Sequence, residues 1–394
     1  MKRAVVVVCP HCERQYDGSE SCCPAHGDSP TPEERPSLEL SFDFDVLREQ
    51  FDSIREERPL NEAHSLWRYA PFFPVDGTNP VTLGEGGTDL IRASTLGDQL
   101  DIGLWLKLEG ENPTGSAKDR GSTVVATHAR ERGQEVVACA STGNAAASIA
   151  AYAARAGLEC VLFVPETTPE AKAIQPRVYG ASVTRVDGGY DAAVRACRTR
   201  VTADGWLDRS AGASPYAPAG AQTLGYELAE QRPDADWVVV PMGNGGTLAG
   251  VWNGLRTFER LGYLDTLPKM LGVQATAASA IHDSFHGKTA PTETRETTCA
   301  DSIDVRQPHR RQEACEALTA SNGTSVLVTD EEIRSALVQL GHAEGVFAEP
   351  ASASTLAAVA TARERGYIDT GDQVVAVITG TGLKDTASAM ESIP

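Results

Sequence analysis

Glu111-Asn112-Pro113-Thr114-Gly115-Ser116-Ala117-Lys118-Asp119-Arg120-Gly121 sets one lysine behind a small-residue loop and ahead of a helical run, Thr123 to Arg132. Such a placement suits a lysine that must reach an aldehyde, because burial and neighbours lower the pKa of the amine and free it as a nucleophile. The Gly115-Ser116-Ala117 approach leaves room for a flat group beside it. A lone lysine at a helix start is ordinarily only a solvated charge. Here lysine is scarce, seven among 35 basic residues, so this one stands out.

Outward from this loop, apolar strand patterns alternate with alanine-rich helical ones. The expected strands are Gly103–Leu108, Glu135–Ala140, Cys160–Val164, Ser182–Val186, Trp237–Pro241, Met270–Gln274, Ser325–Val328 and Gln373–Thr379. Helices are expected at Ala145–Ala156, Tyr190–Ala203 and Thr355–Arg365. Alternating βαβ units with continuous apolar strands predict an α/β fold with mostly parallel sheets covered on both faces. From Phe42 to Ala70 the pattern is helical and charged.

Ligands of such sheets sit beyond the carboxyl ends of the strands. Ser141-Thr142-Gly143-Asn144 follows one strand and opens a helix, where backbone amides can take a carboxylate and Asn144 offers an amide. Gly243-Asn244-Gly245-Gly246-Thr247 follows the Trp237–Pro241 strand, and its glycines let amides close around a phosphate. It lacks the G-x-G-x-x-G and G-K-[ST] patterns, which disfavours a dinucleotide or a nucleoside triphosphate. Thr379-Gly380-Thr381-Gly382 supplies a hydroxyl that can meet a ring nitrogen. Each loop alone is ordinary cap or turn chemistry. Together they describe a pocket for pyridoxal phosphate.

With these residues in hand, the chain resembles the fold type II pyridoxal-phosphate enzymes (tryptophan synthase β-like), specifically the threonine synthase family. The resemblance spans nearly the whole chain and takes in Leu83-Gly84-Glu85-Gly86-Gly87-Thr88 and Glu349-Pro350-Ala351-Ser352-Ala353 as well. It implies that Lys118 holds the cofactor as a Schiff base and moves protons, and that Asn144 bonds the ring hydroxyl. It further implies that Gly243, Asn244, Gly245, Gly246 and Thr247 hold the phosphate, that Thr379 faces the pyridine nitrogen, and that Ser141 and Thr142 take the substrate carboxylate. The activity it implies is a lyase working at the β or γ carbon of a small amino acid, with O-phosphohomoserine giving threonine and phosphate as the leading substrate. Alternatives are a serine or threonine dehydratase, a β-replacement enzyme (cysteine or cysteate synthase-like), and a non-catalytic binding protein. Enzymes of this resemblance are commonly homodimers.

One segment departs from the family pattern, written roughly N-P-x-R-x-E-G-Q-K-T, whose basic groups clamp the substrate phosphate. The matching stretch is Ser214-Pro215-Tyr216-Ala217-Pro218-Ala219-Gly220-Ala221-Gln222-Thr223, with Ala217 at the expected arginine and Gln222 at the expected lysine. A phosphate without that clamp loses charge-assisted hydrogen bonds worth about 1.5–3 kcal/mol each. The polar stretch with His282, His286, Arg295, Arg306, His309, Arg310 and Arg311 offers replacements.

The N-terminus reads separately. Cys9 and Cys12, then Cys23 and His26, form two knuckles of soft ligands suited to a structural, tetrahedral zinc, with Cys22 a rival donor. The organisation expected is a zinc-ribbon-like knuckle over 1–29 and a linker with a helical segment over 30–82. A large cofactor lobe is expected over 83–120 with 211–394, and a smaller mobile lobe over 121–210. The remaining cysteines lie in apolar or helical stretches, with no secreted disulfide framework. A net charge of −19 from 54 acidic and 35 basic residues argues against nucleic acid or an anionic membrane as partner, and suits a protein working in high salt. No apolar run approaches the ~20 residues needed to cross a bilayer, and no secretory signal precedes Cys9, so a cytoplasmic enzyme is expected.

Overall fold

A computed structural model describes residues 4–16, 23–26, 38–57, 65–288 and 297–392. Its strands, in chain order, are β1 Val5–Val8, β2 Gln15–Tyr16, β3 Glu39–Phe42, β4 Leu90–Arg92, β5 Gly103–Leu108, β6 Val136–Ala140 and β7 Glu159–Pro165. They continue with β8 Ser182–Val186, β9 Leu207–Asp208, β10 Trp237–Pro241, β11 Lys269–Ala275, β12 Thr324–Val328 and β13 Gln373–Ile378. The chain divides into two compact units, 1–87 with 118–223, and 88–117 with 224–394.

The first unit holds two sheets. β2-β1-β3 is a small antiparallel sheet, and β8-β7-β6-β9 is parallel throughout. Ala138, Ala140 and Phe163 on the parallel sheet pack against Ala193, Val194 and Cys197 of the Tyr190–Asp204 helix. The second unit holds a six-stranded sheet, β12-β11-β10-β13-β5-β4, parallel except for the antiparallel edge strand β4. Its central strands are mostly apolar, as burial on both faces favours, and all five residues of β10 are buried.

Lys107 is a buried charge among them. It sits on β5 with no exposed surface, and its Nζ donates to the Thr88 carbonyl at 2.6 Å, Glu227 Oε2 at 2.7 Å and Gln231 Oε1 at 2.8 Å. Three acceptors meet the three donors of an ammonium, so a buried charge is tolerated.

Three helical regions differ from the sequence expectation by more than one residue. The lysine helix runs Lys118–Glu131, because burial of Asp119 to Ala129 outweighs the weak helix propensity of Gly121 and Ser122. The Thr355 helix starts at Pro350, where proline fits the first helical position and its missing N–H costs nothing. The charged run after Phe42 is a Phe44–Glu57 helix and a separate short helix, Leu66–Phe72, whose start is capped by Ser65 accepting the Trp67 N–H. Among the described residues no helix is long and apolar enough to cross a membrane.

Candidate functional site

In the second unit, the loop that delivers Lys118 is tied to the loop after β13 almost wholly by main chain. The Ala117 N–H donates to the Thr379 carbonyl at 2.9 Å, and the Thr381 N–H donates to the Gly115 carbonyl at 3.0 Å. Lys384 Nζ donates to the Thr114 carbonyl at 3.0 Å. Gly115 has φ +89°, and a Cβ there would lie 2.9 Å from Thr381 Cγ2, so both backbone and space demand glycine. Upstream, the buried Glu109 carboxylate takes the Thr88 hydroxyl at 2.7 Å and the Asn112 amide at 3.0 Å. That knot fixes where Asn112-Pro113-Thr114 leaves β5.

Thr379 follows the last residue of β13. Its hydroxyl donates to Glu349 Oε1 at 3.2 Å and lies 2.9 Å from Ser352 Oγ, which also accepts the Gly380 N–H at 2.9 Å. Glu349 is 3% exposed, a carboxylate held behind the expected ring-nitrogen partner. The Glu349-to-Ala353 motif carried no role in the sequence reading. Its signal was an acidic residue before a proline-started helix, and only the fold brings it to Thr379.

Gly243, Asn244, Gly245, Gly246 and Thr247 lie where β10 passes into the Gly246–Leu261 helix, which has no side-chain cap at its start. Asn244 is tied to the 302–310 loop: its side-chain oxygen accepts the His309 N–H at 3.3 Å and its carbonyl accepts the Arg310 N–H at 2.9 Å. Arg310 lies beside Gly246; it is 9% exposed, pairs with Glu313 at 2.9 Å, and its buried Nε has no hydrogen-bond partner among the described residues. Of the other basic residues of that stretch, His282 and His286 bond Ser325 near the start of β12, away from the strand's ligand-binding end. Burial and the neighbouring His286 push His282 down to about 4. Arg295 lies outside the described residues.

In the first unit, Lys118 is half-buried at the first position of its helix. Behind that helix the buried Glu85 carboxylate accepts the Tyr152 hydroxyl at 2.7 Å and Trp67 Nε1 at 3.0 Å, and burial pushes the Tyr152 hydroxyl far up. Ser141 and Thr142 follow β6; the Ser141 hydroxyl accepts the Gly143 N–H at 3.3 Å. Asn144, 9% exposed, opens the Asn144–Ala156 helix after Gly143, again without a side-chain cap.

The Ser214–Thr223 stretch forms the start of the Tyr216–Gln231 helix and abuts the lysine helix backbone to backbone. A Cβ on Gly220 would lie 1.8 Å from the Arg120 carbonyl oxygen, and one on Gly121 would lie 2.8 Å from that of Ala217. Arg120 Nη1 donates to the Thr223 hydroxyl at 3.0 Å. Ala217 therefore serves a close helix contact, and Gln222 is 5% exposed.

At the N-terminus, ligand atoms of Cys9, Cys12, Cys23 and His26 all lie within 4.8 Å of one another. Cys12 and Cys23 Sγ are 3.7 Å apart, the Tyr16 hydroxyl lies 3.0 Å from Cys23 Sγ, and His26 Nε2 is buried with no partner among the described residues. Burial raises the Cys23 thiol while hydrogen bonds from Tyr16, Cys9 and Cys12 lower it, leaving it at about 7. Cys22 lies outside the described residues.

Residues 81–380 match the model of the family described as pyridoxal-phosphate dependent enzyme. A threonine synthase of Methanocaldococcus jannaschii is 39% identical over 363 residues, 90% of this chain and 88% of the relative. That of Mycobacterium leprae is 38% identical, over 83% and 90%. The chain belongs to the pyridoxal-phosphate-dependent enzymes, in the threonine synthase family.

It is accordingly a threonine synthase-like, pyridoxal-phosphate-dependent lyase. Among solved structures, a fungal L-serine ammonia-lyase from Rhizomucor miehei superposes with a TM-score of 0.68 at 21% identity, covering 80% of this chain and 98% of that one. Processed threonine deaminase isoform 2 from Solanum lycopersicum gives 0.67 at 22% identity, over 89% and 93%. These share the α/β fold type II architecture expected from the sequence.

Proposed function

We propose that the chain converts O-phosphohomoserine and water into threonine and phosphate. The similarity to threonine synthases over nine-tenths of the chain carries this reading. The residues present fit the cofactor: an uncapped helix start at Gly246, and beside it a buried Arg310 Nε with no partner among the described residues, suit a phosphate. Lys118 would hold the cofactor, Gly243, Asn244, Gly245, Gly246 and Thr247 its phosphate, Asn144 its ring hydroxyl, and Thr379 would face its ring nitrogen. Bound there, pyridoxal phosphate supplies the electron sink that makes protons of the substrate removable. Lys118 then takes and returns protons at the substrate's carbons, and Ser141 and Thr142 hold the carboxylate through a hydroxyl and the helix-start amides. The deciding assay incubates the holoenzyme with O-phosphohomoserine, threonine and O-acetylserine and scores phosphate, 2-oxobutyrate and acetate. Phosphate release supports the proposal; 2-oxobutyrate or acetate alone would replace it with a dehydratase or a β-replacement enzyme.

The N-terminal knuckle is proposed to hold a structural zinc through Cys9, Cys12, Cys23 and His26. Tetrahedral ligation with bonds of about 2.3 Å needs sulfurs roughly 3.8 Å apart, which the 3.7 Å between Cys12 and Cys23 supports. Four protein ligands leave no open position for catalysis. A cofactor lobe over 83–120 with 211–394, a smaller mobile lobe over 121–210, a homodimeric state and a cytoplasmic location belong to the same proposal. So does adaptation to high salt, supported by the −19 charge and tested by stability against KCl concentration. Full stability in dilute buffer would refute that last point.

A further inference from the structure

Arg209 carries no expectation from the sequence, yet it stands at the end of the sheet from which the Ser141 loop leaves. β9 pairs in parallel with β6, Ala138 opposite Asp208, so both strands end at the same sheet edge. Arg209 is the next residue: its N–H donates to the Ala138 carbonyl at 2.8 Å, and its neighbour Ser210 accepts the Ala140 N–H at 2.8 Å. The residue after Ala140 is Ser141, the start of the expected carboxylate loop.

The side chain is 6% exposed. Nε donates to the Ser122 hydroxyl at 3.3 Å, and no other hydrogen-bond or ion-pair partner of this guanidinium exists among the described residues. Neither Nη belongs to the fully buried unpartnered atoms, so both tips keep a solvent-accessible opening. Ser122 lies four residues beyond Lys118 on the same helix, hence one turn along the same face. Asp208, adjacent in the chain, does not pair with it; successive strand residues point to opposite sides, and the Asp208 carboxylate accepts the Ser210 N–H at 2.7 Å instead. A guanidinium this buried ordinarily meets a carboxylate or several acceptors. Here the charge is delivered, by a single strut, to within a helical turn of Lys118.

We propose that Arg209 is the substrate-side anion clamp of this enzyme, binding the phosphate carried on the substrate's side chain in place of the basic residues absent at 217 and 222. The planar fork matches two phosphate oxygens at once, which an ammonium cannot do. The loop at Ser141 and Thr142, with its uncapped helix start, is the one proposed above for the α-carboxylate. This inference rests on the proposed phosphorylated substrate.

The test titrates the holoenzyme with inorganic phosphate by calorimetry, and with 2-aminobutyrate, which has the amino-acid head but no second anion, through the visible spectrum of the cofactor. Arg209→Gln is expected to weaken phosphate binding roughly 10- to 100-fold and 2-aminobutyrate binding less than about threefold, with kcat/KM for O-phosphohomoserine falling in step. Arg209→Lys, which keeps the charge and loses the fork, is expected to weaken phosphate binding by about 3- to 10-fold. Should Arg209→Gln lose its thermal transition, the lysine variant decides. Unchanged phosphate binding, or equal loss of both ligands, overturns the clamp while leaving the threonine-forming reaction intact. A wild-type holoenzyme that neither binds phosphate nor releases it from O-phosphohomoserine overturns both.

Discussion

The loop 112–117 and the stretch 214–223 each abut an end of the lysine helix, yet they are specified differently. The first is held by main-chain atoms: Ala117 to Thr379, Thr381 to Gly115, and a lysine side chain to the Thr114 carbonyl. The second is held by close backbone approach at Gly220 and Gly121, with Ala217 a small residue at that contact. On the proposed assignment of the site, the contrast makes cofactor placement a property of the backbone and substrate choice a property of side chains. One can drift while the other stays.

The sharpest way to break this contrast is at the lysine itself. Lys118→Ala should abolish the visible absorption of the bound cofactor and cost at least ~1000-fold in kcat, with the thermal transition retained. Next, Gly220→Ala drives a methyl into the Arg120 carbonyl and should cost about 3 kcal/mol or more in urea denaturation. An Ala217→Ser change, without such a clash, should cost less than about 0.5 kcal/mol. Equal losses at the two positions would erase the distinction between backbone and side-chain specification.

Lys107→Met tests the frame beneath the loop. It leaves Glu227 buried without its cation and should destabilise by about 3–5 kcal/mol, measured by the same denaturation. Metal removal from the N-terminal knuckle should be milder for catalysis: a chelator should lower the melting temperature while leaving the cofactor absorption unchanged. The smallest effect is at His282, whose folded pKa is depressed to about 4. A depressed histidine contributes stability above its unfolded pKa of about 6.5 and loses it as pH falls toward 4. His282→Asn should therefore flatten the decline in melting temperature between pH 7 and pH 5.

Much of this was legible in the sequence because it is encoded locally. β5, β8 and β10 have the bounds expected from the sequence, and Lys118, Ser141–Asn144, Gly243–Thr247 and Thr379 each lie at or just beyond a strand end or at a helix start. What stayed hidden depends on distant chain segments. The start of the lysine helix needed the packing of Gly121 on Ala217, and Glu349 and Thr379 are thirty residues apart. Arg209 reads as an ordinary surface residue until the parallel pairing of β9 with β6 sets it beside Ser122. Of the basic residues in the polar stretch from His282 onward, His282 and His286 bond Ser325, while Arg310 lies beside Gly246.

The enzyme is proposed to act on a phosphorylated amino acid although Ala217 and Gln222 stand in its expected clamp. The direct measurement is phosphate release by the holoenzyme supplied with O-phosphohomoserine. Release of one phosphate per threonine formed is the predicted result. No phosphate release, with 2-oxobutyrate produced from threonine by the same preparation, would contradict it.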